Sequence, residues 1–72
     1  MHFLYQIVTS AFIYSLYEEE GCVFLHVLDL RTEESTDVFG VTKIMDALSE
    51  DTEISFDDVI EMDDIITTVM SN

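Results

Sequence analysis

The chain is almost empty of positive charge. Arg31 and Lys43 are its only strongly basic side chains against sixteen acids, which gives a formal charge of −14 over 72 residues. That balance argues against direct nucleic-acid binding, because a phosphate backbone is tracked by lysine and arginine. The early aromatics Phe3, Tyr5, Phe12, Tyr14 and Tyr17 are therefore read as core or interface residues and not as a base-stacking platform. Proline is absent, and so are low-complexity tracts and internal repeats. Nothing marks a linker, and the length fits one domain. A single cysteine, Cys22, excludes an internal disulfide and suits a reducing, cytoplasmic setting.

Catalytic chemistry finds little material. His2 and His26 are the only imidazoles. Cys22 and His26 share a strand face but stand about 13 Å apart at 3.3 Å per residue, too far for a nucleophile and its base. There is no glycine-rich phosphate loop and no G-x-S-x-G elbow. The acids after Asp46 lack the glycine and the alternation of a calcium-binding loop. The expectation is a non-enzyme with no cofactor and no metal.

Long apolar runs are also missing. The N-terminal stretch MHFLYQIVTSAFIYSLYEEE is interrupted by Gln6, Thr9, Ser10 and Ser15 and falls short of the ~20 residues a membrane helix needs. It lacks a basic leader, and Glu18–Glu20 follow where small residues should mark a cleavage site. No membrane role is expected.

What the chain does contain is a change of character along its length. Residues 1–30 are rich in β-branched and aromatic side chains, while residues 37–70 show helical spacing and hold most of the acid. The pattern predicts an α+β fold within one domain, 1–72: an N-terminal antiparallel hairpin or small sheet packed by two C-terminal acidic helices. The strands are expected at His2–Tyr17 and Cys22–Leu30, joined through Glu18-Glu19-Glu20-Gly21. The first is long, and Thr9-Ser10-Ala11 is its weak point, suited to a bulge, a bend or a second turn. Simple alternation places Phe3, Tyr5, Ile7 and Ile13 on one face and Leu4, Val8, Phe12, Tyr14 and Leu16 on the other. Both faces are apolar. A sheet covered by helices on one side should be polar on the other, so a second copy of the chain is expected to cover the remaining face. Phe3, Tyr5, Ile7, Phe12 and Tyr14 are the candidate dimer-interface residues.

Arg31–Thr36 reads as a polar connection. A helix is expected over Asp37–Leu48 with Thr36 as its cap, and a second after Ser55, with Asp58 at the third helical position of an approximate capping box. On the second helix Val59, Met62, Ile66, Val69 and Met70 share one face. Asp57, Glu61 and Asp64 stack on the other at i, i+4, i+7 spacing. Asp63 falls inside the apolar arc, so either the helix breaks near Met62-Asp63 or that carboxylate points into an interface.

The acid is the one feature left to carry function. Nine carboxylates lie between Asp46 and Asp64. Exposed helices usually interleave Glu with Lys at i,i+4, and this segment forgoes that support. Several acids lie beyond the first turn, where the helix dipole does not favour them. Carboxylates one turn apart are about 5–6 Å from each other at Cβ, and phosphates along one DNA strand are roughly 7 Å apart along its helical path. Glu50, Asp51, Glu53, Asp57, Asp58, Glu61, Asp63 and Asp64 are therefore the candidate phosphate surrogates, with Glu18, Glu19 and Glu20 as a secondary acidic patch. In composition the chain is similar to small DNA-mimic inhibitors, many of them made by phages against host proteins. That likeness implies a basic nucleic-acid-binding protein as partner. The alternative is a small adaptor or subunit that binds through apolar surface and uses its acid only for solubility.

Overall fold

A computed structural model describes residues 1–71. Four strands, β1 (His2–Val8), β2 (Phe12–Glu19), β3 (Cys22–Asp29) and β4 (Ser35–Phe39), precede two helices, α1 (Val41–Glu50) and α2 (Phe56–Met70). The strands form one antiparallel sheet in the order β1-β2-β3-β4. Both helices pack on the same side of it, α1 over β3 and β4 and α2 over β1 and β3. The fold is α+β, a sheet followed by two covering helices, as the change of character along the chain predicts.

The long first strand is two strands. Thr9 makes the turn between them: its Oγ1 accepts from the Phe12 N–H at 3.0 Å, and its own N–H donates to the Phe12 carbonyl at 2.9 Å. A hydroxyl that bonds the backbone locally offers the chain an alternative to the ladder. The next turn is tight. Glu19 pairs with Cys22, and Glu20 and Gly21 between them have φ of 53° and 81°. Two positive φ values are what a two-residue hairpin turn requires.

β4 replaces the expected start of the first helix. Val38 pairs with Leu25 and Thr36 with Val27, placing both on the helix-covered face, while Ser35, Asp37 and Phe39 alternate away from it. A partner strand already in register outweighs a weak local helix signal. Gly40 then ends the strand with φ of 95° and ψ of 133°, a conformation other residues rarely adopt. The helix therefore begins at Val41, four residues later than its periodicity suggests, and Thr36 caps nothing. The second helix begins as expected: Ser55 Oγ accepts from the Asp58 N–H at 3.2 Å. It runs unbroken through Asp63.

The core lies between sheet and helices. Leu16, Leu25, Ile44, Leu48 and Met62 are completely buried, and Ile7, Tyr14, Val23 and Ile66 nearly so. Leu16 and Leu25 face each other across β2 and β3. Strict alternation through residues 3–16 fails here, for two reasons. The turn at Thr9–Ala11 resets the phase, and a bulge between Phe3 and Tyr5 adds one residue to β1. Tyr5 and Ile7 consequently point inward with Tyr14 and Leu16, whereas Phe3 and Ile13 point outward.

Candidate functional site

The helical layer gathers the acids, but they do two different jobs. Three of the eight candidate surrogates tie this layer to the sheet. Tyr14 Oη donates to Asp51 Oδ2 at 2.6 Å, and Tyr5 Oη donates to Asp58 Oδ1 at 3.0 Å. Ser10 Oγ donates to Glu53 Oε2 at 2.6 Å. These links join chain segments 37, 53 and 43 residues apart in sequence. Burial and then the bond to Asp51 push the Tyr14 hydroxyl well above the ordinary tyrosine range. The bond to Asp58 raises that of Tyr5, with desolvation and the Asp58 charge adding to it. Asp51 closes α1 at its negative end, where a carboxylate is disfavoured. The Tyr14 hydroxyl and the Glu53 N–H, which donates to Asp51 Oδ1 at 3.0 Å, offset that cost.

The remaining five surrogates, Glu50, Asp57, Glu61, Asp63 and Asp64, are exposed. None is in an ion pair or a side-chain hydrogen bond among the described residues. The ion pair found there lies elsewhere, Arg31 with Asp29 at 3.5 Å, and His26 Nδ1 is hydrogen-bonded to Asp37 Oδ1 at 2.7 Å. Arg31 also sits 5.8 Å from the centre of the Phe12 ring. Lys43 is exposed on α1. Neither strong base therefore neutralises α2. Asp57, Glu61 and Asp64 occupy one side of α2, advancing about 6 Å and then about 4.5 Å along its axis at 1.5 Å per residue. Asp46, exposed on α1, extends the acidic layer and belongs with them, although it lay outside the candidate set.

Asp63 lies on a different stripe of α2. Phe56, Ile60, Asp63, Thr67 and Met70 follow one another at alternating four- and three-residue steps, and all are exposed. Asp63 thus sits in an exposed apolar stripe of an intact helix. Glu18, Glu19 and Glu20 cluster at the β2–β3 turn, with Glu18 half-buried. That is the far end of β2 from the Thr9–Ala11 turn.

Two open clefts border the acids. The larger, about 540 Å³, has Phe12, Tyr14, Val27, Val38 and Ala47 among its lining, with Glu50, Asp51 and Glu53 at one end of α1. The smaller, about 260 Å³, runs beside Glu61 and Asp64 over Ile65 and Val69. Sequence reasoning did not foresee either.

The candidate dimer residues separate. Ile7 and Tyr14 are in the core under the helices, and Tyr5 and Phe12 pack against it. Their inward phase removes Ile7 and Tyr14 from any surface a second copy could reach. Phe3 alone of the five points to the uncovered sheet face, where it is 52% exposed. Among the described residues no three His, Cys, Asp or Glu side chains are grouped to hold a metal ion, and no helix is long and apolar enough to cross a membrane. The chain matches no family model, no curated protein and no solved structure.

Proposed function

We propose that the protein is a decoy for a basic nucleic-acid-binding site, with the helical layer as its recognition surface. What carries this reading is the set Asp57, Glu61 and Asp64: three exposed carboxylates on one side of a helix, with no lysine or arginine paired to them. Glu50, Asp46 and Asp63 add charge on the same layer. Asp51, Asp58 and Glu53 hold α1, α2 and their connection against the sheet, so the exposed acids are presented on a fixed support. Preorganised charge binds without first losing conformational entropy. The clefts beside Glu50 and beside Glu61 suit the aliphatic stems of lysine and arginine, whose charged ends would meet the carboxylates at the rim.

The test is competition and salt. A target captured from lysate by the immobilised chain should be displaced by duplex DNA. Its affinity should fall by orders of magnitude between about 50 and about 200 mM salt. The variant Asp57→Asn/Glu61→Gln/Asp64→Asn should lose most of the binding while keeping its fold. A complex indifferent to salt, to DNA and to those three substitutions overturns the proposal.

A second reading has its own observation. The sheet face opposite the helices is apolar and uncovered, which suits an adaptor that binds a protein through it. Such a complex would resist salt and would fail when Phe3 or Phe39 is made acidic.

A further inference from the structure

We propose that the uncovered sheet face is a self-association surface, and that two copies pack on it face to face with their acidic helical layers pointing apart. Three rows cross this face. Phe3, Tyr17, Phe24 and Phe39 form a continuous aromatic row, one ring from each strand, with successive centroids 5.7, 5.5 and 5.5 Å apart. Val8, Ile13 and Leu28 form an aliphatic row near the other end. Phe39 is 63% exposed and Val8 62%. An exposed apolar patch this continuous marks an interaction surface.

The polar row between them is partly paired within the protomer. Gln6 Nε2 donates to Ser15 Oγ at 3.1 Å, and His26 Nδ1 lies 2.7 Å from Asp37 Oδ1. Ser15 is itself buried by its neighbours. Each of these internal bonds removes a donor and an acceptor that covering the row would otherwise leave alone, which lowers the cost of burying it.

Charge decides the occupant. The chain carries −14, yet among the described residues the strand acids on this face are Asp37, hydrogen-bonded to His26, and Glu19 at the hairpin end. A basic partner is drawn to the other side of the molecule. Two copies of so acidic a chain meet at least electrostatic cost where the acids are fewest. Packed sheets lie about 10 Å apart, so adding a helical layer beyond each puts the two sets of helix axes roughly 30 Å apart. That is more than three Debye lengths of ~8 Å at physiological salt. Association through α2 would instead press Asp57, Asp63 and Asp64 of two copies together.

The area is adequate. Four strands span about 19 Å and six residues about 20 Å, near 400 Å² in projection. Side-chain relief adds to this, toward the roughly 600 Å² per copy at the lower bound of stable protein interfaces. Such a dimer displays two acidic layers, on opposite sides. If the helical layer is the decoy surface proposed above, each dimer holds two target molecules.

Sedimentation equilibrium tests the pairing without reference to any target. At about 100 μM chain and about 0.15 M salt the protein should have twice the 8.3 kDa mass of one chain. Phe39→Glu should raise the dissociation constant at least 30-fold while far-UV circular dichroism is unchanged. Phe56→Glu, on the exposed stripe of α2, should leave the dimer intact, as should Asp57→Asn/Glu61→Gln/Asp64→Asn. A monomer at this concentration overturns the proposal, and so does a dimer that Phe56→Glu dissolves and Phe39→Glu does not. A dimer that binds no target leaves the pairing standing and removes only the decoy reading.

Discussion

The two faces of one sheet are built from nearly the same alphabet and meet opposite fates. Leu16, Leu25 and Val23 point toward the helices and are sealed. Tyr17 and Phe24, their immediate neighbours in the chain, point the other way onto an uncovered row of rings. Apolar character alone therefore does not define the core of this protein. The core is the face that has carboxylates and hydroxyls at its margin to fasten a cover: Tyr14 to Asp51, Tyr5 to Asp58, Ser10 to Glu53. The other face has an internally paired polar row and nothing of its own chain to hold.

The comparison is broken most severely on β3. Leu25→Ala should cost about 3 kcal/mol, through lost burial and the cavity left behind. In a domain of this size that consumes much of the stability. Phe24→Ala, one residue away on the opposite face, should cost about 1 kcal/mol at high dilution and, under the proposed self-association, more as concentration rises. Denaturant titrations at two protein concentrations distinguish the two; equal, concentration-independent losses would mean the faces are equivalent.

The fastenings come next. Tyr14→Phe should lose about 1.5 kcal/mol, since it deletes a hydrogen bond to a carboxylate at a buried site. Tyr5→Phe, half-exposed, should lose less. These hydroxyls also set an alkaline limit. Each titrates higher in the folded chain than in the unfolded one. Their contribution is therefore complete below the ordinary tyrosine pKa of about 10 and is lost as pH rises above it. The stability of the native chain should decline above that pH, and Tyr14→Phe should flatten the decline; a profile unchanged in the variant would assign the alkaline loss elsewhere.

Ser55→Ala removes the side-chain cap of α2 and should cost about 1 kcal/mol, read as a lower melting temperature. The smallest effect belongs to the exposed acids. Glu61→Gln with Asp64→Asn should raise the melting temperature slightly at low salt and leave it unchanged at high salt, as relief of screened repulsion requires. A loss of stability instead would show that these side chains support the fold.

Much of this architecture is written in the sequence, and the parts that are not share a cause. Local pattern determined the order of a sheet followed by helices. It determined the start of α2 at Ser55, the stack of Asp57, Glu61 and Asp64, and the surplus of acid over base. Those features depend on neighbours within one or two turns of the chain. Tertiary structure alone decided that Ser35–Phe39 is a strand, because its evidence is the free edge of β3 and not its own composition. It decided which face of residues 3–16 is core, because one turn and one bulge reset the alternation. It also separated the carboxylates that fasten the helical layer from those with no side-chain partner among the described residues, since the hydroxyls that claim Asp51, Asp58 and Glu53 arrive from β1, β2 and the turn between them, some 40 or 50 residues away. Such pairings are set by distance through space, which a linear pattern does not carry.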